Sequence, residues 1–267
     1  MRKTLALTSI MAVMLLGTDP VSAIVYGDVD GNGHPNVGAI VANWRGQGLE
    51  LFCSGSLIDD KVFLTASHCT DALETFGVED VFVTFDPVFD ETSDLISGIP
   101  HTNPAYNAFA GPGGMADPGD IAVVVLDEDP GLEPVQLPPA GLLDQLKASR
   151  QLKGQLFTAV GYGTVRETQT GGPGSILDNT ERRFADQRFL SLHTAWITMS
   201  MNMATGNGGT CYGDSGGPHF LGAGAGETNI QVSLTVTGDA VCKATDTTYR
   251  LDTPSARSFL DDFVTLS

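Results

Sequence analysis

Short apolar runs broken by turns dominate the pattern of this chain. Residues 37–44, 51–58, 62–66, 81–85 and 121–126 form runs of strand length. Turn clusters such as Asp59-Asp60 and Asp117-Pro118-Gly119 separate them. The same style returns at 156–160, 194–201, 219–221, 230–235 and 248–251. Sustained helical periodicity is absent until the end. There Thr253 can cap a helix, Pro254 fits its first turn, and Phe259, Leu260, Phe263 and Val264 share one face. A shorter helical stretch is expected near 142–152, after a candidate linker at 137–141. Regular short strands without a strand–helix–strand rhythm predict an all-β barrel or sandwich.

The first residues follow a different logic. Arg2 and Lys3 precede a mostly apolar stretch at 4–17, too short to span a bilayer, and Val21-Ser22-Ala23 supplies small residues at cleavage positions. Residues 1–23 therefore read as a secretory signal peptide, and the protein is expected to be secreted, extracellular or periplasmic. No later segment reaches about 18 uninterrupted apolar residues, so no membrane anchor is expected.

Composition narrows the partners. The net charge of −18 argues against nucleic acid, whose phosphates need clustered Lys and Arg. Thirty-two glycines and fourteen prolines suit many turns among the 267 residues. The four cysteines, Cys53, Cys69, Cys211 and Cys242, read as two disulfides in an exported protein. Three pairings are possible; spacing favours Cys53–Cys69 and Cys211–Cys242, each closing a local loop. No metal or cofactor is expected. The cysteine spacings do not suit zinc, and His34, His101 and His193 show no ligand pattern. The run Asp28-x-Asp30-x-Asn32-Gly33 resembles half of a calcium loop, but its twelfth position is Ala39 and it reads as a surface turn.

Chemistry concentrates in three motifs. Gly213-Asp214-Ser215-Gly216-Gly217-Pro218 places a serine between glycines that let the backbone turn sharply and aim the N–H groups of Gly213 and Ser215 at one point. A serine hydroxyl needs an adjacent base and such donors to act as a nucleophile. Thr65-Ala66-Ser67-His68-Cys69 offers the base, since imidazole titrates near pH 6.5. Asp120 precedes Ile121-Ala122 and an apolar run, where a buried carboxylate could orient the imidazole.

These motifs resemble the trypsin/chymotrypsin family of serine proteases. The order His68, Asp120, Ser215 fits that family, whereas a nucleophile-elbow hydrolase would need an acid and then a histidine after the serine. After Ser215 only His219 follows, with no acid between. The resemblance implies two packed antiparallel Greek-key β-barrels with a C-terminal helix, at about 24–140 and 141–267. It implies a serine endopeptidase acting on proteins or peptides, with His68, Asp120 and Ser215 catalytic and Gly213 and Ser215 forming the oxyanion hole. Cleavage after Ala23 would expose Ile24-Val25-Tyr26-Gly27, similar to the family's Ile-Val-Gly-Gly start, and Ile24 would then pair with Asp214. Gly209, Gly238 and Thr247 map onto the primary specificity pocket and imply an apolar or mixed preference, with Asp246 and Asp239 close enough to supply a cation site if the alignment slips by one. Two other readings stand beside this one: an inactive binding protein on the same scaffold, and an esterase using the same triad.

Overall fold

The computed structural model describes residues 23–111, 116–166, 170 and 172–266. The expected signal peptide at 1–23 lies outside them, save its last residue. Strand is the commonest regular structure of the described chain.

Six strands close the first barrel: β1 (Val37–Ala42), β2 (Glu50–Asp59), β3 (Val62–Thr65), β4 (Val81–Thr84), β5 (Ile96–Thr102) and β6 (Ala122–Leu126). Their order around the barrel is β1-β2-β3-β6-β5-β4, all antiparallel, with β4 returning to β1. Six more close the second: β7 (Leu156–Gly161), β8 (Arg183–Leu192), β9 (Trp196–Ser200), β10 (Pro218–Leu221), β11 (Gln231–Gly238) and β12 (Thr245–Arg250). They run β8-β9-β12-β11-β10-β7, and β7 pairs back to β8. Closure leaves neither barrel an unpaired edge.

Apolar runs fill the interiors. Ile40, Leu57, Phe63, Leu64, Val83 and Val123 are fully buried in the first barrel, and the same apolar cluster continues through Phe220, Leu234 and Tyr249 of the second. A separate cluster of Phe157, Ile197, Met199 and Val232 takes the buried Leu143 of helix α2 (Leu142–Ala148). Helix α3 (Pro254–Leu260) starts as its sequence demands: the Thr253 hydroxyl accepts the Ala256 N–H at 3.3 Å, Pro254 follows, and Ala256, Phe259 and Leu260 face the core.

Two strands and one helix differ from the sequence pattern. β5 carries Pro100, which cannot donate to a ladder, and its burial alternates through half-buried positions, so no apolar run marks it. β8 is disguised by its polar interior: Arg183 and Gln187 are buried there. Helix α1 (Ser67–Thr75) begins right after β3, without a side-chain cap. Its buried residues include Ser67, Cys69, Thr70 and Leu73, a short polar face that no periodicity signal carries.

The N-terminal segment lies on the second barrel. Val25 bridges Gly209, and Asp28 and Val29 pair with Phe184 and Arg183. The acidic turn that follows is on the surface, with Asp28, Gly31, Asn32 and Gly33 exposed, but Asp30 is buried and accepts from the Arg182 Nε at 2.8 Å, and Arg182 also donates to the carbonyls of Gly31, Val37 and Phe85. The half calcium loop is thus a socket for one buried guanidinium.

Candidate active site

The barrel registers bring the site together. Thr65, the last residue of β3, pairs with Ala122, the first of β6. The chain on either side of that pair emerges at one end of the first barrel, with His68 in the first turn of α1 and Asp120 just before β6. Asp120, 4% exposed, receives two hydrogen bonds from His68: the backbone N–H donates to Oδ1 at 2.9 Å, and Nδ1 lies 3.0 Å from Oδ2. A carboxylate there makes Nδ1 the donor and leaves Nε2 as the free acceptor. The imidazole keeps 30% of its surface open. Ser67 completes the mooring, donating its hydroxyl to the Ile121 carbonyl at 2.7 Å and accepting from the Asn103 N–H at 3.2 Å.

Ser215 belongs to the other barrel, yet its backbone is pinned to the first. Its carbonyl accepts the Ser54 N–H at 2.9 Å. Ser54 follows Cys53, which is disulfide-bonded to Cys69, the residue after His68. One covalent bridge and one hydrogen bond therefore tie the imidazole and the serine turn to the same strand, β2. The second bridge joins Cys211 to Cys242, as spacing favoured. The Cys53 and Cys69 sulfurs lie near the His68 ring but are bonded to each other.

The serine turn depends on its glycines. Gly216 has φ +83°, and a Cβ there would lie 2.2 Å from Thr65 Oγ1. Gly213 has φ +94°. Gly163 admits the Asp214 carboxylate, which a Cβ would meet at 2.4 Å. That carboxylate is fully buried and accepts the N–H groups of Cys211 (2.8 Å) and Gly163 (2.7 Å). Burial pushes its pKa up to about 7 against the pull of those two donors. Ile24 and Val25 are also fully buried, and the Gly209 N–H donates to the Val25 carbonyl at 2.8 Å.

A cavity of about 250 Å³ opens beside Ser215, lined by residues that include Thr210, Thr235, Thr237 and Gly238. Gly238 is thus at the cavity, but Gly209 and Thr247 are not among its lining residues. Gly209 is packed under it: a Cβ there would strike Met201 and Gln187 at 2.3–2.4 Å. Thr247 lies in register with Thr237 on the neighbouring strand. Asp239 turns its carboxylate onto the N–H groups of Lys243, Ala244 and Thr245. Asp246 is fully buried one layer back, where Oδ2 accepts from Thr210 (2.7 Å) and Gln187 (2.8 Å) and faces His219 Nε2 (3.0 Å). Sequence reasoning missed Thr210, Thr235 and this polar layer. Thr210 adjoins Gly209, and strand alternation from Gly238 would have exposed the role of β11; nothing local marks Gln187.

Comparison with known proteins agrees with this architecture. The family model described as Trypsin matches residues 30–258. This chain belongs to the trypsin family of serine proteases. It is 26% identical to human (Homo sapiens) kallikrein-8 over 174 residues, covering 64% of this chain and 63% of the relative. It is 28% identical to the mouse (Mus musculus) kallikrein-8 over 178 residues, with the same coverages. The matched region thus spans just under two thirds of the length of these trypsin-family relatives. The solved structure of HL collagenase shares the fold, with a TM-score of 0.67 at 17% identity, over 91% of this chain and 100% of that one. Among the described residues no helix is long and apolar enough to cross a membrane.

Proposed function

We propose that this chain is a secreted serine endopeptidase that cleaves peptide bonds through Ser215, His68 and Asp120. The observation that carries the reading is the paired hold of Asp120 on His68, on a helix bridged by disulfide to the strand that also anchors Ser215. In this mechanism the free Nε2 of His68 takes the Ser215 hydroxyl proton as the oxygen attacks the substrate carbonyl. The N–H groups of Gly213 and Ser215 hold the developing oxyanion. His68 then gives the proton to the leaving amine, the peptide bond breaks, and an acyl-Ser215 ester remains. Water, deprotonated by the same imidazole, hydrolyses that ester and restores the serine. Asp120 stays ionised and balances the imidazolium.

Removal of residues 1–23 would create the α-ammonium of Ile24, and we assign Asp214 as its partner. A fully buried carboxylate that lacks a cation is costly, which supports a cationic partner arriving after cleavage. The cavity beside Ser215 is proposed as the primary specificity pocket. Its lining includes Val236 and Gly238, and the carboxylates of Asp239 beside it and Asp246 behind it are engaged in internal hydrogen bonds, which supports an apolar or mixed preference.

Labelling of the secreted protein with a fluorophosphonate, beside Ser215→Ala, followed by N-terminal sequencing of the labelled band, tests this reading. Labelling that disappears in the variant, on a band beginning at Ile24, is the expected outcome. An unlabelled band beginning at Ile24 would overturn it in favour of an inactive binding protein.

A further inference from the structure

Ser54 is fully buried in β2 of the first barrel, yet its polar groups reach into the second. Its N–H donates to the Ser215 carbonyl at 2.9 Å. Its hydroxyl donates to the Gly213 carbonyl at 3.0 Å and accepts the N–H of Tyr162, just past β7, at 3.0 Å. A backbone N–H can only donate and a carbonyl can only accept, so one orientation of the hydroxyl serves both. Two glycines make the room: a Cβ on Gly161 would lie 3.0 Å from Ser54 Oγ, and one on Gly217 would lie 3.2 Å from Ser54 Cβ. A buried hydroxyl is destabilising unless it is bonded, and this one is bonded entirely across the barrel interface.

From Tyr212 to Ser215 each peptide plane of the serine turn is held at its carbonyl. The Tyr212 carbonyl accepts the Thr164 N–H at 2.7 Å, that of Asp214 accepts the Gly217 N–H at 2.8 Å, and that of Ser215 accepts the Ser54 N–H. Backbone makes all of these holds. The Gly213 carbonyl differs, because a side chain holds it: the Ser54 hydroxyl. Its plane lies between the two that carry the N–H groups of Gly213 and Ser215. Neither of those N–H groups has an acceptor among the described residues. Gly213, at φ +94°, has no Cβ to restrict its rotation. The plane's other restraint is the Asp214 N–H, which donates to the Cys211 carbonyl at 3.1 Å.

We propose that Ser54 is a positioning residue for the oxyanion hole. The inference rests on the endopeptidase reading above. By holding the Gly213 carbonyl, the Ser54 hydroxyl sets the rotation of Gly213, and the Ser54 N–H sets the plane that follows Ser215. The two free N–H groups then point at one spot before substrate arrives, and they need no reorientation as charge develops on the carbonyl oxygen. Ser54 touches neither the substrate nor the reacting atoms; it acts through Gly213.

The test compares the mature enzyme with Ser54→Ala on a chromogenic peptide amide and on a peptide aldehyde, to whose carbonyl Ser215 adds without a leaving group. Removing an oxyanion donor costs about 10²- to 10³-fold in kcat, so loosening one is expected to cost about tenfold. kcat falls by that factor with KM within about twofold, and the aldehyde, which mimics the tetrahedral intermediate, binds more weakly by the same factor. The acid limb of kcat/KM against pH stays in place, because His68 and Asp120 keep their bonds. Ser54→Thr, which returns the hydroxyl, recovers most of kcat. Ser54→Gly, which also lacks the hydroxyl, is held to the same expectation should Ser54→Ala fail to fold. A folded variant without the hydroxyl that keeps kcat and aldehyde affinity within about twofold would overturn the inference and leave the endopeptidase reading intact. A loss that appears in KM instead, or that moves the acid limb, would overturn it equally. An unaltered enzyme that neither takes the fluorophosphonate nor cleaves the chromogenic amide would overturn that reading, and the inference with it.

Discussion

His219 and Asp246 are both fully buried and meet at 3.0 Å between Nε2 and Oδ2, in the layer behind the cavity beside Ser215. The same oxygen accepts from Thr210, a residue that lines that cavity, and from Gln187. The shape of the proposed primary pocket therefore depends on a carboxylate that never reaches it. Removing Asp246 strands three polar groups at once. Asp246→Ala is expected to destabilise the fold by about 3–5 kcal/mol in urea titration, with an unchanged m-value. In the double variant with His219→Leu the loss is smaller than the sum of the single losses, by about 0.5–3 kcal/mol. Strict additivity would show that the two side chains do not interact.

The clamp on the N-terminal turn responds to alkali. His34 bridges Asp30 through Nδ1 and Glu227 through Nε2, the latter at 2.8 Å. Burial opposes its charge, yet the two carboxylates hold its pKa up at about 9. A raised imidazole pKa stabilises the folded state fully below the unfolded value near 6.5, and that stability is lost as pH rises through about 9. Asp30 acts in the opposite range: burial is outweighed by His34 and Arg182, which hold it down at about 2. Its contribution is present above about pH 4 and is lost only as pH falls through about 2. The melting temperature of the unaltered protein should thus drop between pH 7 and pH 10 by more than that of His34→Gln. Parallel curves for the two proteins would remove His34 from the account.

The candidate site residues were more legible than the contacts that hold them. His68, Asp120 and Ser215 are short-range motifs, each with its reacting residue next to a glycine, cysteine or apolar strand that fixes the backbone. Spacing also anticipated both disulfides. What stayed hidden depends on contacts between distant residues. β8 reads as polar because Arg183 and Gln187 are buried in it, Gln187 donating to the buried Asp246, and Arg182 gives no hint that Asp30, 152 positions earlier, waits for it. The surroundings of Gly209 were hidden for a similar reason: Gln187 of β8 and Met201, just past β9, crowd it from distant parts of the chain.

Asp214 should make the uncleaved chain lose stability as pH rises from mildly acid to neutral. Its folded pKa is raised by burial to about 7, above the unfolded value near 3.9. Between those values the folded state binds the extra proton, so stability falls as pH rises from about 4 to about 7 and levels off above that. Chain that retains residues 1–23 is expected to unfold at lower urea at pH 8 than at pH 5. Chain beginning at Ile24 should lose that difference, because its ammonium compensates the carboxylate. Equal slopes for the two forms would mean that Ile24 does not reach Asp214.

Asp120→Asn tests the orientation of His68 without emptying the site. The remaining oxygen can still accept the His68 backbone N–H, now held at 2.9 Å, but the new amide turns a donor toward Nδ1. The ring must then carry its proton on Nε2, where it cannot take one from Ser215. A loss of about 10³- to 10⁴-fold in kcat is expected, with KM changed little and folding intact. Fluorophosphonate labelling should slow by a similar factor, since it needs the same activated serine. A variant that folds and keeps kcat within about tenfold of the unaltered enzyme would show that Asp120 does not set the tautomer, and Asp117 and Asp127, which flank it in sequence, would then have to be substituted in turn.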